Sequence, residues 1–234
     1  MKKHLAAVAC VVYLLCFVTP LQAQKVWEKP HQGWSFMDVM MILKRSPWAQ
    51  TQHDQSKLTS ATTRLHSALP VRQAMVKLQK IFQSYDKFSA ADKARFDDSV
   101  KEFLDCPYCT QYYIVAVKSP HYQTVPTKLK NVFDIYATFK DSSLEELTPY
   151  VFLTNDKGEQ RELARFIPPK REEEEAVALF LFPRLDDKGK PLFSTENKTF
   201  SFMIDEKLFR GKSVPVKKVS FDVSRLVRDG VIVF

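Results

Sequence analysis

Glycine is scarce, with 5 in 234 residues. Loops that cradle phosphates against bare backbone have little to form from, and neither a glycine-rich dinucleotide fingerprint nor a Walker loop occurs. The nucleophile-elbow and HExxH spacings are missing as well. The five histidines, His4, His31, His53, His66 and His121, are scattered, whereas metal ligands recur at spacings that let one ion reach them. No metal and no cofactor is expected. Past Val18 no uncharged apolar run approaches the roughly 20 residues that a membrane span needs, so no transmembrane span is expected there. The 35 basic and 27 acidic residues give a net charge of +8. The two signs interleave along the chain and do not form the one-sided basic stripe of a nucleic-acid binder. No nucleic-acid partner is expected.

What the chain has first is a leader. Lys2 and Lys3 are followed by the uncharged run from Leu5 to Val18, then by the helix breaker Pro20 and by Leu21-Gln22-Ala23. This is the layout of a secretory signal, with residues 1–23 removed after Ala23. The run is short for a retained anchor. Cys10 comes too early for a lipid anchor, and Cys16 follows Leu15 where a small residue is needed. The protein is expected to be exported, periplasmic or extracellular. Cys10 and Cys16 leave with the leader, so Cys106 and Cys109 remain as the cysteines of an oxidising compartment.

The pattern of the remainder predicts an α+β fold, a helix-rich N-terminal half packed on a mainly antiparallel β-sheet or sandwich in the C-terminal half. Ser35 is a candidate N-cap for a helix whose stripe is Phe36, Val39, Met40 and Leu43, closed by Ser46-Pro47. Trp48 to Thr51 reads as extended, and Thr59 to His66 as a strand. Pro70 suits the first turn of a second helix, with Val71, Ala74, Met75, Leu78, Ile81 and Phe82 facing inward and Arg72, Lys77 and Lys80 outside the stripe. Ser89 and Asp92 open a third helix with the stripe Phe96, Val100, Phe103 and Leu104. Tyr112 to Val117 is a strand, and residues 128–139 favour another helix, with Val132, Phe133, Ile135 and Tyr136 leaving a strand as the alternative. The hairpin Tyr150–Thr154, Asn155-Asp156-Lys157-Gly158, Arg161–Phe166 follows. Further strands are read at 176–182, 198–204, 219–223 and 231–234, with a turn at Asp186-Asp187-Lys188-Gly189. The seam between a region 24–140 and a β-rich region 141–234 is placed at Lys140 to Ser143. No linker composition marks it, so the two regions are read either as separate domains or as one.

Trp34-Ser35, Ser46-Pro47-Trp48-Ala49, and Ser67-Ala68-Leu69-Pro70-Val71-Arg72-Gln73-Ala74, taken in this order with Asn155–Glu159, Phe166–Pro169 and Phe182-Pro183-Arg184 after them, resemble a group of uncharacterised exported bacterial proteins carrying S-P-W-A and S-A-L-P-x-R-x-A motifs. The resemblance implies export and a shared fold. It supplies no activity and no catalytic residues.

Three features carry candidate chemistry. Cys106-Pro107-Tyr108-Cys109 is a C-x-x-C pair, able to cycle between dithiol and disulfide, and C-P-Y-C looks like the motif of glutaredoxins. In a thioredoxin-type site the motif follows a strand and opens a helix. Here a helical stripe precedes Cys106 and a β pattern follows Cys109, which favours a structural disulfide at a helix-to-strand turn. Trp27, Trp34 and Trp48 form either an aromatic surface for a ligand or a pin holding the N-terminal segment to the core; large buried indoles favour the pin. The run Glu172 to Glu175 suits a solvated loop better than a cation site, because hard-cation loops alternate their ligands. The leading expectation is therefore a non-enzymatic binding or envelope-assembly protein, whose partner is an unknown protein or envelope component. The alternative is an extracytoplasmic thiol oxidoreductase using Cys106 and Cys109.

Overall fold

A computed structural model describes residues 25–54, 59–119, 134–170, 176–209, 216–228 and 230–234. The expected leader, the acidic run 172–175 and the first part of the 128–139 helix lie outside these residues. Five helices are described, α1 (Phe36–Arg45), α2 (Leu69–Phe82), α3 (Ala90–Asp105), α4 (Ile135–Phe139) and α5 (Leu144–Leu147). The first strands are β1 (Ala49–Asp54), β2 (Thr59–Leu65), β3 (Tyr112–Lys118), β4 (Val151–Asn155), β5 (Gln160–Glu162) and β6 (Arg165–Ile167). They are followed by β7 (Val177–Pro183), β8 (Thr199–Ile204), β9 (Lys218–Asp222), β10 (Val227–Arg228) and β11 (Val231–Ile232).

The fold is α+β. A five-stranded sheet runs β1-β2-β3-β7-β6 and a four-stranded sheet β5-β4-β8-β9, with every pairing antiparallel. Strands from before residue 140 (β1, β2, β3) and after it (β6, β7) share the first sheet, so the helix-rich and β-rich regions are joined through hydrogen-bonded neighbours.

Alternation decides which face of each strand is buried. On β7 Ala178, Phe180 and Phe182 face inward, and on β8 Phe200, Phe202 and Ile204 do so. The two faces meet through Phe180 and Phe202, ring centroids 5.3 Å apart. A file of stacked rings crosses the core from one sheet to the other: Tyr113 to Phe193 at 4.4 Å, Phe193 to Phe200 at 4.2 Å and Phe200 to Phe221 at 5.0 Å. Each fully buried aromatic of this kind contributes roughly 1.5–3 kcal/mol.

The expected second arm of the hairpin, Arg161 to Phe166, is a correction: it does not form one strand. Gln160–Glu162 pairs with β4, and Arg165–Ile167 pairs with β7 in the other sheet. Leu163 is buried and Phe166 packs against Phe139 and Phe180. These two positions are three apart, so a straight strand of period two would point one of them away from the core. The chain bends at Leu163-Ala164, the Ala164 amide donating to Leu181 O at 3.0 Å, and both side chains turn inward. This corner joins the sheets on one side.

The opposite side is closed by side chains. Gln50 and Gln52 lie two apart on β1, and their amides donate to the carbonyl oxygens of Ser220 and Lys218 on β9, the second at 2.9 Å. The edge strands β1 and β9 are thereby tied together, and two carbonyls on the open edge of β9 are occupied. The result is a flattened barrel.

The helices start where capping chemistry places them. Ser35 accepts from the Asp38 amide while Asp38 accepts from that of Ser35, and Ser89 accepts from the Asp92 amide. Val39, Ile42 and Leu43 of α1 and Val71, Ala74 and Val76 of α2 join the core. In α3 only Val100 of the expected stripe is buried; Phe96, Phe103 and Leu104 are half-buried. A second correction concerns Arg72, placed outside the α2 stripe by periodicity. It is 6% exposed, because α2 is covered on that side by the end of α3.

The final four residues form only a two-residue strand, β11, paired with β10. Val233 O accepts the Trp48 indole N–H at 2.6 Å, and Phe234 lies edge-on to Tyr113 at 5.2 Å. Removing residues 231–234 strips a buried donor of its acceptor and opens the end of the ring file. Thermal unfolding followed by circular dichroism should therefore show a lower Tm for the truncated chain; an unchanged Tm would show that this tail does not bear on the core.

Candidate functional site

The cysteine pair lies where α3 hands over to β3. Cys106 closes α3 in the left-handed conformation, φ 45°, its amide donating to Glu102 O at 2.8 Å. A helix that ends this way usually uses glycine, which lacks the Cβ that crowds this region. A single 3-10 turn, Pro107–Thr110, follows, and β3 starts at Tyr112. Cys106 and Cys109 are joined by a disulfide, with Cα atoms 5.3 Å apart. The order helix, C-P-Y-C, strand is the one read from sequence.

The two sulfurs differ in surroundings. Cys109 is 6% exposed and packs with Ile114 and Leu181 on the outer face of the five-stranded sheet. Cys106 is partly exposed, and Tyr108 between them is 54% exposed with the Arg165 guanidinium over its ring. Arg72 reaches Cys109 from the first turn of α2, Nη1 donating to Sγ at 3.2 Å. The same guanidinium donates to Ser67 O, and through Nε and Nη2 to Leu104 O at 3.2 and 3.0 Å. Burial pushes Arg72 below the usual arginine range, and the charge of Asp105 opposes the shift.

Ser67 and Arg72 both belong to the S-A-L-P-x-R-x-A string. Ser67 Oγ accepts the Ile114 amide at 3.2 Å, and Ala68 and Ala74 are fully buried. The string thus forms the joint between α2, β3 and the disulfide. In the S-P-W-A string Ser46 Oγ accepts the Trp48 amide at 3.2 Å, and Trp48 is fully buried.

Other cations lie on the outer face of the same sheet, farther along its strands. Arg64 on β2 donates to Leu43 O at 2.6 Å and is pushed down to about 10 by burial. Lys118 on β3 is pushed down to about 7, first by burial and then by the charges of Arg64 and Lys44. His66, at the end of β2, is partly buried with its ring against Phe103 at 5.5 Å. Enclosure, followed by the charges of Arg64 and Arg72, pushes it down to about 4.

The tryptophans are brought together, but as a wall of the core. Trp34 and Trp48 are buried and Trp27 is half-buried, its ring edge-on to Trp48 at 6.2 Å. The Trp34 indole donates to Val26 O and Lys29 O at 3.1 and 3.2 Å. An exposed aromatic platform built from all three is ruled out by this burial.

A cleft of about 420 Å³ opens between α2 and α3, lined among others by His31, Lys77, Lys80, Tyr85 and Asp97. Asp97 accepts from Lys80 Nζ and from the Tyr85 hydroxyl, both at 2.7 Å. These bonds hold its carboxyl below the usual range. Asp186 is a turn residue, its carboxylate accepting the amides of Lys188 and Lys190 at 2.9 and 2.8 Å. Among the described residues no group of three or more His, Cys, Asp or Glu is placed to hold a metal, and no helix is long and apolar enough to cross a membrane. Compared with family models, with curated proteins and with solved structures, the chain finds no match in any of the three.

Periodicity missed Arg72, the residue that ties the pair to the fold. Arg72 stands in the first turn of α2 between the fully buried Val71 and Ala74, and periodicity alone does not mark it.

His66 yields a pH dependence. Its folded value lies below the ordinary 6.5, so between about 6.5 and 4 the unfolded chain takes a proton that the folded chain refuses. Stability contributed at neutral pH is lost as pH falls through this window. Urea unfolding at pH 7 and pH 4.5 should show a smaller acid loss for His66→Gln than for the wild type, with a residue left from His31, which burial shifts the same way. Equal losses in the two proteins would contradict the assignment.

Proposed function

We propose that the chain is an exported binding protein, the flattened barrel serving as scaffold and the helical layer as contact surface. The export leader read in the sequence supports the address. The observation that carries the binding reading is the outer face of α1. A helix at the surface of a globular core carries one apolar stripe and an opposite polar face. In α1 the buried face is Val39, Ile42 and Leu43, yet Met37 and Met41, one turn apart on the other side, are 71% and 47% exposed. Beside this pair in sequence, Phe36 is 42% exposed and meets Phe82 of α2, 68% exposed, with ring centroids 6.2 Å apart.

Contiguous exposed apolar surface of this kind marks interaction sites, and methionine adapts its shape to a partner. Lys44 and Arg45 end the same helix and are exposed. The partner that fits is an envelope protein offering an apolar segment with acidic residues beside it.

Two measurements test this reading. The exported chain should begin at Gln24 by N-terminal sequencing; a full-length chain retained in the membrane would overturn the address. A photo-crosslinking residue at position 41, in the chain expressed in its own host, should give one discrete protein adduct that Met37→Glu abolishes at unchanged Tm. The same residue at position 198, exposed in the bend before β8, should give none. Adducts alike at both positions, or adducts to lipid, would overturn the reading.

A further inference from the structure

We propose that Cys106–Cys109 is a thiol–disulfide exchange site that accepts electrons from polypeptide dithiols, with Cys106 the sulfur attacked and Cys109 the sulfur released onto Arg72. This activity stands apart from the contact surface on α1 and neither requires the other.

The asymmetry of the pair sets the direction of attack. Cys106 is the partly exposed sulfur, while Cys109 is 6% exposed beneath the turn. Exchange proceeds by attack of a thiolate on one sulfur and departure of the other, and it is faster and more favourable when the departing thiolate is stabilised. The departing sulfur here already has a guanidinium N–H at 3.2 Å. That guanidinium is fixed by its bonds to Ser67 O and Leu104 O, and among the described residues no carboxylate hydrogen-bonds to it. A positive charge beside a thiolate in a partly buried place does what a helix N-terminus does in other C-x-x-C sites, although the order of elements here is reversed. Around Cys106 the exposed Tyr108, with Arg165 over its ring, offers an aromatic contact suited to a polypeptide.

In the first step a substrate thiolate bonds to Cys106 Sγ. The Cys106–Cys109 bond breaks, and its electron pair stays on Cys109 Sγ, where it accepts the Arg72 Nη1–H. In the second step the other substrate thiol, its proton lost to water, attacks the substrate sulfur of the mixed disulfide. The substrate disulfide forms, and the electron pair stays on Cys106 Sγ. The substrate dithiol has lost two electrons and two protons, and the chain has gained a dithiol. Each molecule holds one oxidising equivalent, and the same exchange run backwards on a low-molecular-weight disulfide restores it.

The test uses the mature chain equilibrated in glutathione buffers of graded ratio. Arg72→Gln should make the disulfide at least tenfold harder to reduce, which corresponds to about 30 mV for a two-electron couple, whereas Arg72→Lys should retain part of the wild-type behaviour. Thiolate absorbance of the reduced wild-type chain, which needs no variant to fold, should show one thiol titrating below the ordinary value of about 8.5. Cys109→Ala should form a stable mixed disulfide with a one-cysteine peptide supplied as its activated disulfide, the Cys106 thiolate bonding to the peptide sulfur and the activating thiolate leaving, and Cys106→Ala should not. The proposal fails if the equilibrium with glutathione is the same in wild type and Arg72→Gln. It fails equally if both thiols titrate in the ordinary range, or if trapping occurs only at Cys109.

Discussion

The contact between the inner faces of β7 and β8 is the one on which the remaining structure depends. Each is an interior strand of its own sheet, and each offers two fully buried phenylalanines, Phe180 and Phe182 against Phe200 and Phe202. Sheets with one apolar face are stable only when that face is covered, and here each sheet covers the other. The corner at Leu163-Ala164 and the Gln50 and Gln52 amides keep the two faces in register at the sides. The helices then cover what the sheets leave open: α4 places Phe139 against Phe180 at 5.6 Å, and α1 and α2 add Val39, Ile42, Val71 and Ala74.

A second constraint follows from cations placed in that packing. Arg64, Arg72 and Arg184 are buried or half-buried, and all three donate to backbone carbonyls. Arg64 meets Leu43 O in the last turn of α1, and Arg72 meets Leu104 O in the last turn of α3. The last carbonyls of a helix have no partner within it and carry its negative end. One guanidinium thus satisfies orphan acceptors at the helix's negative end. Arg184 does the equivalent for the chain's final residue, donating to Phe234 O at 2.9 Å with its guanidinium 4.3 Å from the Phe234 ring. These bonds fix how the helices approach the sheets, because a planar fork accepts few geometries. The disulfide stands at one of these junctions, which is why its buried sulfur has a cation for a neighbour.

Local chemistry made many elements legible without coordinates. Ser35 with Asp38, Ser89 with Asp92, Pro70 in a first turn, and the β-branched and aromatic run of β3 are each decided by residues within a few positions of one another. The turn Asn155 to Gly158 is of the same kind: Gly158 adopts φ 82°, a conformation that glycine reaches without a Cβ clash, and Asn155 accepts the amides of Lys157 and Glu159 at 3.0 Å. The order helix, cysteine pair, strand was legible for the same reason. The break between β5 and β6 was not, because it depends on which sheet waits beyond the corner. Nor was the burial of Arg72, whose partners Ser67 and Leu104 lie outside its own helix.

The sequence by itself thus determined the α+β class, the capped helices, the turns and the pairing of Cys106 with Cys109, since caps, alternation and a three-residue loop act over short distances along the chain. The tertiary structure alone decided that the strands close into a flattened barrel and that α1 keeps two methionines in solvent. It also decided that Arg72 lies against Cys109. Each of these is a meeting of residues far apart in sequence, and hydrophobic burial, which is not directional, brings elements together without recording in any one of them which partner it will meet.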